Sequence, residues 1–232
     1  MGLFDMFRSN DAKVTRAALD EANDPDGTSD AITQLISRLT AVGIDGVGPF
    51  DSAAKVARAA LARSGGDVEG AIARVVGQHR RLAGTEGFLT SVGGFLTLAV
   101  AIPANVFAFY TVATRMTAAI AHLRGHDLAD ERIRTAVLLT LTGSGATDIL
   151  TKAGVSVGGS AALQLAGRSL PKSALMVIQK AVGFRLLRGA GVRMFSRAGR
   201  WLPLLGGAVG AALDVAMMNV IGKHAQQEFP AV

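Results

Sequence analysis

The sequence predicts an all-α protein: a multi-helix bundle with a central apolar helical hairpin broken at Pro103 and a Gly-rich C-terminal helix. Three observations carry that expectation. Half of the 232 residues are hydrophobic while only 5% are aromatic, so the apolar mass is Ala, Val, Leu and Ile, accompanied by 28 glycines. That composition suits closely packed helices better than β-sandwiches. Apolar residues also recur at helical spacing, as in Ile32, Leu35, Ile36, Leu39 and Val42. Finally, residues 87–114 carry no charged side chain, and residues 202–222 carry only Asp214. A chain of this length forms one large domain or two small ones. It has no cysteine, which excludes a disulfide framework and a Cys-ligated metal site.

The N-terminal "MGLFDMFRSND" places Asp5 where a cleaved signal peptide would be apolar, and Met6 where N-myristoylation would need Ser or Thr. Ser29 can cap the helix that contains Ile32 to Val42. "GIDGVGPFDS" interrupts it, and Asp51 or Ser52 starts the next helix. "SGGD" at 64–67 reads as a turn and a cap, followed by Val68, Ile72, Val75 and Val76 on one helical side and by Arg80 and Arg81. Residues 1–50 are read as a helical extension, 51–226 as the main helical domain and 227–232 as a tail.

The central block differs in kind. Residues 88–102 would form a helix about 22 Å long, short of the roughly 30 Å of a bilayer core. Pro103 then suits the first position of a second helix. There Asn105, Arg115, His122 and His126 fall in one polar stripe, opposite Val106, Phe107, Tyr110, Ala113 and Ile120. The expectation is a two-helix hairpin, packed within a bundle or dipping into one leaflet; the alternative is an integral span of 27 residues kinked at the proline. Downstream, Asp130 can cap "ERIRTAVLLTLTG", and Asp148 precedes Lys152 by four residues, a spacing for an intrahelical ion pair. Helices are expected over "SVGGSAALQLAG" and "PKSALMVIQKAVGFRLLRGAG". In the last apolar block, Gly206 and Gly210 form a GxxxG pair that permits close helix approach.

Charge is unevenly spread. Residues 1–86 sum to −2 and residues 87–232 to +8, and nine Lys or Arg but no acid lie between Asp148 and Asp214. Such a field attracts phosphates of lipid headgroups or of nucleic acid. Tyr110 and Trp201 are the only Tyr and Trp, and no nucleic-acid motif accompanies the charge, so nucleic acid is not an expected partner. Arg185, Arg188, Arg193, Arg197 and Arg200 are the candidate contacts to an anionic surface.

Catalytic signatures are sparse. No GxxxxGK occurs, and "TGSGA" has Thr142 where a GxSxG elbow needs Gly. His122 and His126 share the spacing of two metal ligands, but without the Glu of HExxH they read as solvent-facing histidines at a helix end. Asp148 and Asp214 stand in the most apolar surroundings. They are either a general acid/base pair or buried or half-buried anions held by Lys or Arg, and the local supply of basic groups favours the second reading. No cofactor is implied.

Over roughly residues 70–226 the chain resembles the bacterial EcsC protein family. The carrying stretches are "GF" at 87–88, "GG" at 93–94, "IPAN" at 102–105, "TRMTAAIAHLRGHDLADERIRTAVLLTLTG", "ATDILTKAG" and "LPLLGGAVGAALDVAMMNVIGKHA". Family-like positions are Gly93, Gly94, Pro103, Asn105, Arg115, Gly125, Asp127, Arg134, Asp148, Gly206, Gly207, Gly210 and Asp214; none comes with an agreed catalytic role. The chain departs from the family at Ala113, where a longer polar residue is common. The resemblance implies membrane association without an established activity. With the uncharged run and the acid-free basic stretch, the expectation is a non-enzymatic helical protein, cytoplasmic and peripheral to the inner membrane, that supports a membrane transport or envelope process. Anionic lipids, and a transporter or envelope protein, are the partners it implies. The alternatives are a soluble bundle that binds an apolar ligand such as a lipid, and a hydrolase using Asp148 and Asp214.

Overall fold

Helix starts in this chain are set by short polar side chains that accept otherwise unpaired backbone N–H groups. Ser52 Oγ accepts from the Lys55 amide at 3.2 Å, Asp67 from Glu69 at 3.1 Å and Asp130 from Arg132 at 2.8 Å. All three are starts that the sequence predicts. The computed structural model describes residues 10–22, 30–48, 50–92, 98–143, 145–155, 160, 164–165, 167–168, 170–198 and 203–232. The side chains of 85–92, 98–105, 189–198 and 203–210 lie outside that description, as do Ser29, Gly93, Gly94, Arg200 and Trp201. The described residues form an all-helical bundle: α1 (Asn10–Ala22), α2 (Asp30–Thr40), a π-helical turn (Ala41–Asp45), α3 (Ala53–Arg63), α4 (Val68–Val92), α5 (Leu98–Leu123), α6 (Glu131–Thr140), α7 (Gly145–Lys152), α8 (Lys172–Ala198) and α9 (Pro203–Glu228).

The apolar stripe of α2 is buried as its spacing predicts: Ile32, Leu35, Ile36 and Leu39, with Val42 continuing it into the π-helical turn. That turn lies against α5 at Gly43. A Cβ there would meet the Thr114 Cβ at 2.8 Å, so only glycine permits this approach. α1 packs on α2, α5 and α8, so residues 10–45 share one core with the later helices.

α5 is the axis of the molecule. α1, α2, the π-helical turn, α3, α4, α6 and α9 all pack on it. Residues 107, 108 and 110–121 are buried without interruption, on every side of the helix. Fully buried Met116 and Ile120 each contribute about 1.5–3 kcal/mol of transfer free energy. The stretch Val106–Leu123 has the length and apolarity of a membrane span, yet 78% of it is buried inside the protein. Two expectations are corrected here. The two apolar helices are present as α4 and α5, which pack on each other, but Pro103 does not break them apart: it is the sixth residue of the continuous helix α5. A proline this close to a helix start forfeits little more than one backbone bond, to the carbonyl four residues earlier, and the packed helix tolerates that loss. Nor does the polar stripe at Arg115 stand apart from the apolar side in burial, because α5 has neighbours all round and Arg115 is buried with the rest.

α4 and α9 form the most extensive helix pair and run antiparallel. Gly222 of α9 lies against Val76, and Gly84 of α4 lies against Val215, so the two helices advance in opposite senses. The C-terminal end of α4 and the N-terminal end of α9 thus converge, while along the chain α5 begins six positions after α4 ends and α8 ends five positions before α9 starts. At the other end the last residues are docked rather than trailing: Phe229 is fully buried, and the Val232 amide donates to the Arg124 carbonyl at 3.0 Å.

Candidate functional site

The polar groups with the least ordinary surroundings lie between α4, α5 and the 46–52 loop. His79, on α4, is buried, and its Nδ1 sits 2.8 Å from the Val75 carbonyl. A carbonyl only accepts, so Nδ1 carries the proton and Nε2 is the acceptor. Nε2 has no hydrogen-bond partner among the described residues. Burial, then the positive charge of Arg115, push His79 down to a pKa of about 4, so the ring is neutral at pH 7. Arg115, on α5, is itself buried, and its guanidinium stands over the Phe50 ring at 5.5 Å from the centroid. Its Nε also lacks a partner among the described residues. Desolvation lowers the Arg115 pKa, and only Asp51 opposes that shift. α5 also carries three buried threonines. Thr114 Oγ1 donates to the Tyr110 carbonyl at 2.7 Å, while the Thr111 and Thr117 hydroxyls have no partner among the described residues. Tyr110 donates its hydroxyl to the Leu186 carbonyl of α8 at 3.2 Å.

This layer is a cation and a neutral imidazole inside the protein. Among the described residues Arg115 has no ion-pair partner, and Asp51 is bound to Lys55 at 2.7 Å. It couples α4, α5 and the loop electrostatically. Sequence reasoning placed Arg115 and Tyr110 on opposite faces of α5 and did not single out His79 or Phe50. The signal for His79 is its position: it continues the Ile72 and Val75 side of α4 by one more helical step.

The other candidate residues separate widely. Gly125 ends α5 at φ +92, and the His126 amide reaches back to the Ala121 carbonyl at 3.0 Å, a Schellman closure. That closure carries His126 off the helix. Rather than facing solvent beside His122, it is buried, with Nε2 2.9 Å from the Pro230 carbonyl and its ring edge-on to Phe229. The expected solvent-facing histidine pair is therefore overturned by the docking of the chain end. Among the described residues no group of three or more His, Asp or Glu is placed to hold a metal ion. Asp127 is exposed and accepts from the Ala129 amide at 2.9 Å, shaping the turn into α6. Arg134 grips Asp45 through both guanidinium arms, with Nη1 to Oδ1 at 2.8 Å, and this bidentate bond raises the Arg134 pKa. It pins α6 to the end of the π-helical turn.

Asp148 and Asp214 do not form a pair. Asp148 lies on α7 with its side chain 64% exposed, and its partner is Arg185 of α8 at 3.5 Å rather than Lys152. The expectation of burial fails because α7 is short and only its Gly145, Ala146, Ile149 and Leu150 side turns inward. Asp214 on α9 is buried. α7 packs on α8, whereas α9 packs on α4, α5 and α6. Arg185 also lies across Gly145, in space that any side chain there would fill. Arg188 is exposed; Arg193 and Arg197 continue α8, and Gly206, Gly207 and Gly210 lie in the first turns of α9. Pro103 and Asn105 lie within the first turns of α5.

The fold is thus that of an all-α helical bundle. No protein-family model, curated protein or solved structure matches the chain.

Proposed function

We propose that this is a non-enzymatic, EcsC-like protein that associates with the cytoplasmic face of the inner membrane and supports a membrane transport or envelope process. The observation that carries the reading is the end of the bundle where α4 finishes and α9 begins. The chain around it is uncharged over residues 87–105 and 202–213, and Arg188, Arg193 and Arg197 lie in the C-terminal half of α8, shortly before α9. Apolar side chains would enter the headgroup region, while the arginines meet anionic lipid at about 1 kcal/mol each.

The stretch from residue 106 onward is covered by protein, so membrane contact falls to what precedes it. Residues 98–105 measure about 12 Å along the helix, against a bilayer core of roughly 30 Å. The contact is therefore a dip into one leaflet. Fractionated cells washed in turn with high salt, alkaline carbonate and detergent test the reading. Release by salt or carbonate is expected. Recovery in the soluble fraction at low salt without detergent would overturn it.

A further inference from the structure

The outer face of α8 has a character that the converging helix ends do not explain. Leu175, Ile178, Val182 and Leu186 recur at helical spacing and are buried against the bundle. The opposite face exposes Met176 (52%) and Val177 (58%), two of the largest apolar exposures among the described residues. Lys172 and Arg188 are exposed along the same helix, and half-buried Lys180 lies beside Met176 at the rim of a hollow of about 20 Å³ shared with Thr33, Ile36 and Gln179. That hollow has room for a single water and not for a ligand. Asp148 of the neighbouring α7 is engaged by Arg185.

We infer that this face, with Met176 and Val177 between Lys172, Lys180 and Arg188, is a second contact to an anionic lipid surface, so that the protein lies along α8 rather than standing only on the converging ends. The inference rests on the membrane reading above and adds an orientation to it. Charge complementarity selects the occupant: residues 149–213 hold nine basic groups and no acid. Two exposed apolar side chains are too few for the centre of a stable protein interface, which buries about 800 Å² per partner. They suit shallow insertion, in which lysine stems lie along the apolar region and their ammonium groups stay among the phosphates.

The chain has no cysteine, so one introduced thiol carries a single environment-sensitive fluorophore. Val177→Cys is labelled, with Ala59→Cys, at an exposed position of α3, as the control, and each protein is mixed with phosphatidylcholine vesicles with or without phosphatidylglycerol. A blue shift at position 177 with phosphatidylglycerol, absent at position 59 and absent with phosphatidylcholine alone, is expected. Lys172→Gln with Lys180→Gln should weaken vesicle binding by about 25-fold. Co-sedimentation with a water-like label at 177 overturns the inference and leaves the membrane reading standing. No co-sedimentation of the parent protein overturns both. A blue shift that grows with protein concentration without vesicles would mark a face between two copies of the chain, and also overturns the inference.

Discussion

α5 and α9 look alike in sequence, each long, almost uncharged and apolar enough to suggest a membrane, yet the bundle treats them oppositely. α5 is enclosed by seven other elements, and its residues 110–121 are all buried. α9 buries Met218, Ile221 and Ala225 but leaves Leu213 and Val220 exposed, Val220 by 65%. Apolar composition therefore does not distinguish a helix that is enclosed from one that is partly open; the number of neighbours does. The charged end of that contrast is Arg115, which α5 carries into the core because no side of this helix is free.

Several substitutions would break or sharpen the contrast. Ile120→Ala on α5 should lower unfolding free energy by about 2–5 kcal/mol in urea denaturation, since it removes a fully buried branched side chain from a site closed on all sides. Acid should act next through His79. Its pKa is 6.5 when unfolded and about 4 when folded, so the unfolded chain binds the proton first as pH falls. The resulting cost is absent above pH 6.5, grows between 6.5 and 4 and is complete below that, reaching about 3 kcal/mol. His122, also lowered by burial, acts in the same direction. His79→Gln should flatten this part of the stability–pH curve, and an unchanged slope would show that His79 is not held neutral.

Gly43→Ala should cost about 1–3 kcal/mol by forcing the π-helical turn off α5. Thr114→Ser in the same chain should restore part of the loss, because it removes one of the two atoms that the new methyl would strike. Asp130→Ala, which deletes the cap of α6, should cost about 1 kcal/mol by thermal melting. Smallest of all, Val220→Ala on the open side of α9 should stay within about 0.5 kcal/mol of the parent. A loss there as large as that of Ile120→Ala would mean that α9 is covered in solution.

Local features were legible in the sequence wherever one element decides them. The stripe from Ile32 to Val42 and the caps at Ser52, Asp67 and Asp130 depend on residues within a turn of each other, and the structure has them all. Features that depend on a distant neighbour were not legible. Pro103 reads as a helix start because proline suits one, but α5 already begins at Leu98, and packing keeps the helix intact through the proline. His126 reads as exposed until residues 229–232, about a hundred positions away, fold over it. Asp148 reads as buried because its sequence neighbours are apolar, although its own side of α7 faces outward. His79 and Arg115 illustrate the same limit: each lies on a regular helix, and only the meeting of α4 with α5 makes them neighbours.

The order in which the chain is made gives the α4–α9 pairing a further consequence. α9 begins about 80 residues after α5 ends, yet it covers both α4 and α5. At about 5–20 residues per second of synthesis, the α4–α5 pair waits roughly 4–16 s for its last cover. During that interval the most apolar surface in the molecule is bare on one flank, while the positively charged α8 is still being added. A nascent chain in that condition is a substrate for chaperones or for a nearby bilayer. The arrival of α9 is the step that commits residues 106–123 to the protein interior.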